Sequence, residues 1–253
     1  MIREQTYKVF ENLIGLLSMS YKCQFEQNIM QHHKIKFPQT AHYYTQGEPS
    51  PKVKYFWFAT HGYGQLASNF IRKFEIFNTE EHFVVAPEAL NRFYWDMRKG
   101  IVGANWMTKL DRLDEIEDYS NFLTTVYNEF ITQLSPNVKI ILLGFSQGVA
   151  TQMRWIQRAQ PLFHHLVFWG GVLPEDIDYL RDEFFGQPLS QYLSDKKIHF
   201  INGDEDEFVT PDKIEWHLDF AKTQNIDLNY IPFKGKHEIL TDVLEDFTKQ
   251  YIL

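Results

Sequence analysis

The sequence predicts an α/β domain with a mostly parallel central sheet flanked by helices, and three observations predict it. Short apolar runs of strand length recur from residue 53 to the end, and each is followed by a segment compatible with a helix. The runs are continuously apolar rather than alternating, as expected of strands covered on both faces. One of them, residues 139–145, passes through Gly144-Phe145-Ser146-Gln147-Gly148 directly into a helical segment. That is the context in which Gly-x-Ser-x-Gly becomes a tight turn that projects the serine hydroxyl above a sheet edge.

Along the chain, residues 1 to about 30 read as an amphipathic helix, with Val9, Leu13, Leu16 and Leu17 on one face. Between His33 and Thr45 the alternation of Ile35, Phe37 and Tyr43 suggests one or two extended strands broken at Pro38. Residues 1–50 are therefore expected to form an extension of helix and strand packed on a domain of residues 51–253. Gly47 to Pro51 is a loop. Val53 to Thr60 is the first buried strand, ending at His61-Gly62-Tyr63-Gly64, and Leu66 to Phe77 can then form a helix. Phe83 to Ala86 is a second strand, stopped by Pro87.

Residues 88–107 carry Phe93, Tyr94, Trp95 and Trp106 without clear periodicity and read as a long aromatic loop. Asp111 to Leu134 is a long helix, with Leu113, Ile116, Tyr119, Leu123, Val126 and Phe130 on its buried face. The serine-bearing strand and its helix, Val149 to Gln160, follow. His165 to Trp169 and Lys197 to Asn202 are further strands, the second leading into the acidic loop Gly203-Asp204-Glu205-Asp206. Pro211 opens a helix that runs to Thr223, at the first-turn position proline favours. Ile226 to Phe233 is the last strand, and His237 to Leu253 the last helix.

A formal charge of −8 argues against nucleic-acid partners and anionic membranes. No stretch of about 18 apolar residues is present, so integral membrane association is not expected. The single cysteine, Cys23, excludes an internal disulfide and fits a reducing, cytoplasmic setting. Glu4 and Glu11 interrupt the order of basic then apolar residues that an export signal requires. Aromatic residues make up 16% of the chain, enough to fill the core and also to line an apolar pocket.

In open parallel sheets the reactive side chains gather beyond the carboxyl ends of the strands. A serine hydroxyl is a weak nucleophile at neutral pH; it needs a base in hydrogen-bond reach, and that base needs an acceptor to orient it. After Ser146, the chain offers an acid and then a histidine in that order. His237 is the best base, in a short loop after the last strand. His217 falls inside a helix, His164 and His165 open a strand, and His32 and His33 precede the sheet. For the acid, Asp204 and Asp206 compete on nearly equal terms, one to face the histidine and the other to shape the turn.

The loop at Tyr63, through its backbone N–H, and the N–H of Gln147 are candidates to hold an oxyanion. Trp95, Trp106 and Trp169 are candidate walls of a substrate pocket. No metal is expected. His237-Glu238 is followed by Thr241 where a zinc-binding helix needs a second histidine, and no other cluster has ligand spacing.

These residues resemble the phospholipase/carboxylesterase family of α/β-hydrolases, which includes acyl-protein thioesterases. The resemblance spans about residues 53–250. It rests on His61-Gly62-x-Gly64, Ala86-Pro87, Gly144-Phe145-Ser146-Gln147-Gly148, Gly170-Gly171-x-Leu173-Pro174, Gly203-Asp204-x-Asp206-x-x-Val209 and Gly235-x-His237. It implies the α/β-hydrolase fold and a cofactor-free serine hydrolase acting on small-molecule esters or thioesters, and it selects Asp206 over Asp204 as the third member of the triad. Gln65, Thr210 and Gly170 depart from the residues common in the family at those points. A lysophospholipase or peptidase on the same triad, or a non-catalytic binding protein on the same scaffold, are the alternatives.

Overall fold

The computed structural model describes residues 30–174 and 189–253; the expected helix over residues 1–30 lies almost wholly outside them. The chain divides into two units, Met1–Thr40 and Ala41–Leu253. In the first, residues 30–40 form neither helix nor strand, and Ile35 and Phe37 are exposed. The extended strands expected there therefore reduce to β1, Tyr43–Gln46, in the second unit.

That second unit contains β2 (Tyr55–Thr60), a short helix α1 (Ala67–Phe70) continued by a 3-10 turn (Ile71–Phe74), and β3 (His82–Pro87). Next come β4 (Asn91–Asp96), β5 (Ile101–Asn105), the long helix α2 (Arg112–Ile131), β6 (Lys139–Phe145) and α3 (Gln147–Ala159). β7 (His165–Trp169), α4 (Leu189–Tyr192), β8 (Lys197–Gly203), α5 (Pro211–Thr223) and β9 (Leu228–Phe233) follow. The chain closes with α6 (Thr241–Phe247) and a π-helical turn (Thr248–Ile252).

Seven strands form one sheet in the order β1-β3-β2-β6-β7-β8-β9, parallel throughout except for antiparallel β1 at the edge. The alternating strands and helices thus build the mostly parallel sheet that the sequence predicts. Both faces are covered. Phe56, Phe58, Ile140 and Leu142 point into a core shared with α2 and α3, while Trp57, Ala59, Ile141 and Leu143 point into a second core with α1 and α6. Burial on both faces is why these strands read as unbroken apolar runs.

Connections run one way from β2 to β3 and the other way from β6 to β7, so strand order reverses between β2 and β6. Thr60 of β2 pairs in register with Gly144 of β6 at that point. The loops that leave these two strands diverge there and open a crevice at the carboxyl edge.

The principal correction concerns residues 88–107. Within them, residues 91–105 form an antiparallel hairpin, with Arg92 opposite Ala104 and Tyr94 opposite Val102, rather than an irregular loop. Gly100, at φ +67°, makes the turn, and the Asp96 carboxylate accepts from the amides of Arg98 and Lys99 at 3.0 and 3.2 Å. A register shift between Tyr94 and Asp96 blurs the two-residue alternation that would have announced a strand.

Helix ends also differ. Leu113 is exposed one residue into α2, and the last helix begins at Thr241, four residues after His237. Among the described residues no helix is long and apolar enough to cross a membrane.

Candidate active site

Ser146 sits between β6 and α3 with φ 54° and ψ −119°, a conformation that costs a non-glycine residue on the order of 1–3 kcal/mol. The turn closes so tightly that a Cβ at Gly148 would lie 2.2 Å from the Thr60 carbonyl oxygen. One at Gly144 would meet the Gly148 oxygen at 2.6 Å. Only glycine fits two residues before and two residues after the serine. Hydrogen bonds hold the turn: the Ser146 amide donates to the Trp169 carbonyl at 2.9 Å, and Thr60 Oγ1 donates to the Gly148 carbonyl at 3.0 Å.

The loop after β9 brings the His237 ring to this hydroxyl, with Nε2 2.9 Å from Ser146 Oγ. Its Nδ1 lies 2.8 Å from Asp206 Oδ2. A carboxylate only accepts, so Nδ1 carries the hydrogen and the Nε2 lone pair is left to accept from the serine hydroxyl. The other Asp206 oxygen accepts from the amides of Phe208 and Val209 at 2.8 and 3.0 Å, which fixes the carboxylate in the turn before α5. Phe145 and Phe208 flank the imidazole, with ring centroids 5.1 and 4.7 Å away. The Asp206 side chain is 1% exposed and that of His237 19%, so the acid is shielded while the base reaches solvent.

Asp204 takes the turn-shaping place. Its Oδ1 accepts from the Gly235 amide at 3.0 Å, and the Glu205 amide donates to the Gly235 carbonyl at 2.9 Å. These bonds lace the acid-bearing loop to the histidine-bearing loop. Both loops leave neighbouring strands, β8 and β9, paired up to Gly203 and Phe233.

On the other side of Ser146 is the loop after β2. His61 is fully buried, and its ring bonds the Gly62 carbonyl at 2.8 Å through Nδ1 and the Ala89 amide at 3.0 Å through Nε2. Burial pushes this imidazole down to about 4, so it is neutral at physiological pH and serves as a strut. Gln65 Oε1 accepts from the Gly62 amide at 2.9 Å. The backbone amides of Tyr63 and Gln147 have no acceptor among the described residues. The Gln147 side chain meanwhile clamps the hairpin: it accepts from the Trp106 amide and donates to the Met107 carbonyl, each at 3.1 Å.

The three tryptophans part company. Trp106 and Trp169 are 1% and 0% exposed, which removes both from the candidate pocket wall. Each ring is instead a prop: Trp106 Nε1 donates to the His61 carbonyl at 2.8 Å, and Trp169 Nε1 to the Glu238 carbonyl at 2.9 Å. Trp95 is exposed beside the loop; its ring covers Gly64, and Tyr63 stands 5.8 Å away. Supporting roles for the Gln147 side chain and for the two buried indoles had no local signal, because each acts on a backbone group distant in sequence. The one hint was Gln65, which departs from the family pattern in the loop it supports.

A cleft of about 410 Å³ opens between this loop, α1, the hairpin and the His237 loop. His237 itself forms part of its lining, with Phe145, Phe70 and Ile239. Among the described residues no cluster of His, Cys, Asp or Glu is arranged to hold a metal ion.

No family model matches the chain, and no curated protein matches it in sequence. Solved structures do match. Acyl-protein thioesterase 2 from Zea mays is 15% identical with a TM-score of 0.63, over 83% of this chain and 97% of that one. A phospholipase/carboxylesterase from Dyadobacter fermentans is 16% identical with a TM-score of 0.59, over 85% and 98%. Esterase PE8 is 18% identical with a TM-score of 0.56, over 85% and 100%. The chain has the α/β-hydrolase fold shared by these proteins.

Proposed function

We propose that the chain hydrolyses carboxylic esters or thioesters of small molecules through a covalent acyl-enzyme on Ser146. The observation that carries this reading is the unbroken line of hydrogen bonds from Asp206 through His237 to a serine held in a strained turn. Ser146 Oγ attacks the acyl carbon as His237 Nε2 takes its proton. The amides of Tyr63 and Gln147 receive the oxyanion; losing one such donor costs about 3 kcal/mol of transition-state stabilisation in comparable sites.

Collapse of the tetrahedral intermediate breaks the bond to the alcohol or thiol, which leaves with the proton from His237. Water, deprotonated by the same imidazole, then attacks the acyl-enzyme and frees the acid and the serine. Asp206 stays ionised, holding the ring in the productive tautomer and stabilising its cation. The esterases and thioesterase that share this fold support the choice of ester chemistry over amide chemistry.

Hydrolysis of p-nitrophenyl esters from acetate to decanoate tests the reading. Wild type should turn over the series, and Ser146→Ala should lower kcat/KM by about a thousandfold or more. Equal rates in the two proteins would refute it.

A further inference from the structure

We propose that the cleft beside His237 receives a leaving group bearing a carboxylate or phosphate, and that Lys73 is the residue that recognises the anion. The inference rests on the hydrolase reading above. His237 Nε2 faces Ser146 and delivers the proton to the departing oxygen or sulfur, and the same ring forms part of the cleft lining. The atoms bonded to that oxygen or sulfur therefore extend into this cleft, on the side where the proton is donated.

The lining is apolar at Phe70, Phe145 and Ile239 and carries one cation, Lys73, on the 3-10 turn that continues α1. Lys73 is half-buried, and its ammonium makes no hydrogen bond or ion pair with any described residue. Its neighbour Arg72 is paired with Glu75 at 3.3 Å and lines a different depression. An ammonium with no partner among the described residues is available to pair with a bound anion.

Asn69, one turn earlier, adds a side-chain amide with no described partner to the same lining. Glu238 is the acid of the lining, and it is exposed. In a chain of net charge −8, an anion is held only where a local cation outweighs that background. Lys73 supplies it in the cleft that His237 also lines.

The test uses matched thioesters whose released thiol is read with a chromogenic disulfide. S-butyryl 3-mercaptopropionate is compared with its neutral amide, S-butyryl 3-mercaptopropionamide, and a third arm carries a phosphate in place of the carboxylate. Wild type should favour the anionic thioesters over the amide by about tenfold in kcat/KM, mainly through KM. Lys73→Ala should bring that ratio to about one, Lys73→Arg should retain it, and Glu238→Gln should widen it. The relative rates of the carboxylate and phosphate arms show which anion is preferred.

The inference is overturned if wild type shows no preference, if Lys73→Ala keeps it, or if a carboxylate on the acyl side responds to Lys73→Ala as strongly as one on the thiol. A protein that hydrolyses no ester or thioester and whose Ser146 resists a fluorophosphonate would fail at the hydrolase reading itself, and this inference would fall with it.

Discussion

At the scale of single residues, Asp204 and Asp206 show how two identical side chains two positions apart take different work. Asp206 Oδ2 meets the His237 imidazole, whereas Asp204 Oδ1 meets the Gly235 amide. Asp206→Asn should therefore lower kcat by about 10⁴, because an amide can donate to Nδ1 and favour the wrong tautomer. Asp204→Asn keeps an acceptor for the Gly235 amide, and its kcat should stay within about tenfold of wild type. Steady-state kinetics on one ester decides both, and equal losses would contradict the division of roles. Ser146 and His237 could be singled out from sequence because each lies two residues from a glycine, in a loop that the strand pattern marks. The choice between the two aspartates could not be made from position, since one residue of turn geometry decides which carboxylate faces inward.

At the scale of elements, the hairpin of β4 and β5 acts as a brace for the loop after β2. The Gly64 amide donates to the Ala104 carbonyl at 2.8 Å, and Trp106 ties both the His61 carbonyl and the Gln147 side chain. Glu88, buried just before β4, bonds Arg92 Nε at 2.7 Å and the Ala67 amide at 3.2 Å, joining the hairpin to α1. Trp106→Phe keeps most of the ring but leaves the His61 carbonyl without its donor. A buried group so stranded costs about 1–3 kcal/mol. We expect a lower Tm together with a kcat reduced about tenfold and KM changed less, as the proposed oxyanion role of the loop requires. A loss of stability with kcat intact would separate the brace from the chemistry.

The hairpin was hidden because its aromatic residues follow one another on both faces near the register shift. Its turn at Asp96 and Gly100 emerges only in the structure. The interior strands were plain in the sequence, since burial on both faces leaves an unbroken apolar signature. Helix ends were not, because the 3-10 turn after α1 and the π-helical turn after α6 keep an apolar pattern without α geometry.

At the scale of the whole molecule, the sheet order does the assembling. Reversal between β2 and β6 opens the crevice, and β8 and β9, further along the same edge, carry the acid and the base to it. The packed sheet also buries histidines that must stay neutral. Desolvation lowers His61, His82 and His165 to about 4 and His199 to about 3, the last two also stacked on each other with centroids 5.4 Å apart. Unfolded, these groups titrate near 6.5, so between that value and their folded values the unfolded chain binds more protons. Stability should be full above about pH 6.5 and fall as pH drops toward 4, by up to about 1.4 kcal/mol per pH unit for each histidine. Chemical denaturation across pH 7.5 to 4.5 measures it, and a flat profile would contradict the burial of these rings.

The most direct test of the central claim, that Ser146 is an activated nucleophile, is fluorophosphonate labelling followed by peptide mapping. Labelling should place one phosphonate on the peptide that carries Ser146 and none in Ser146→Ala, and its rate should fall by about a hundredfold or more in His237→Ala. A label on another residue, or a rate indifferent to His237, would contradict it.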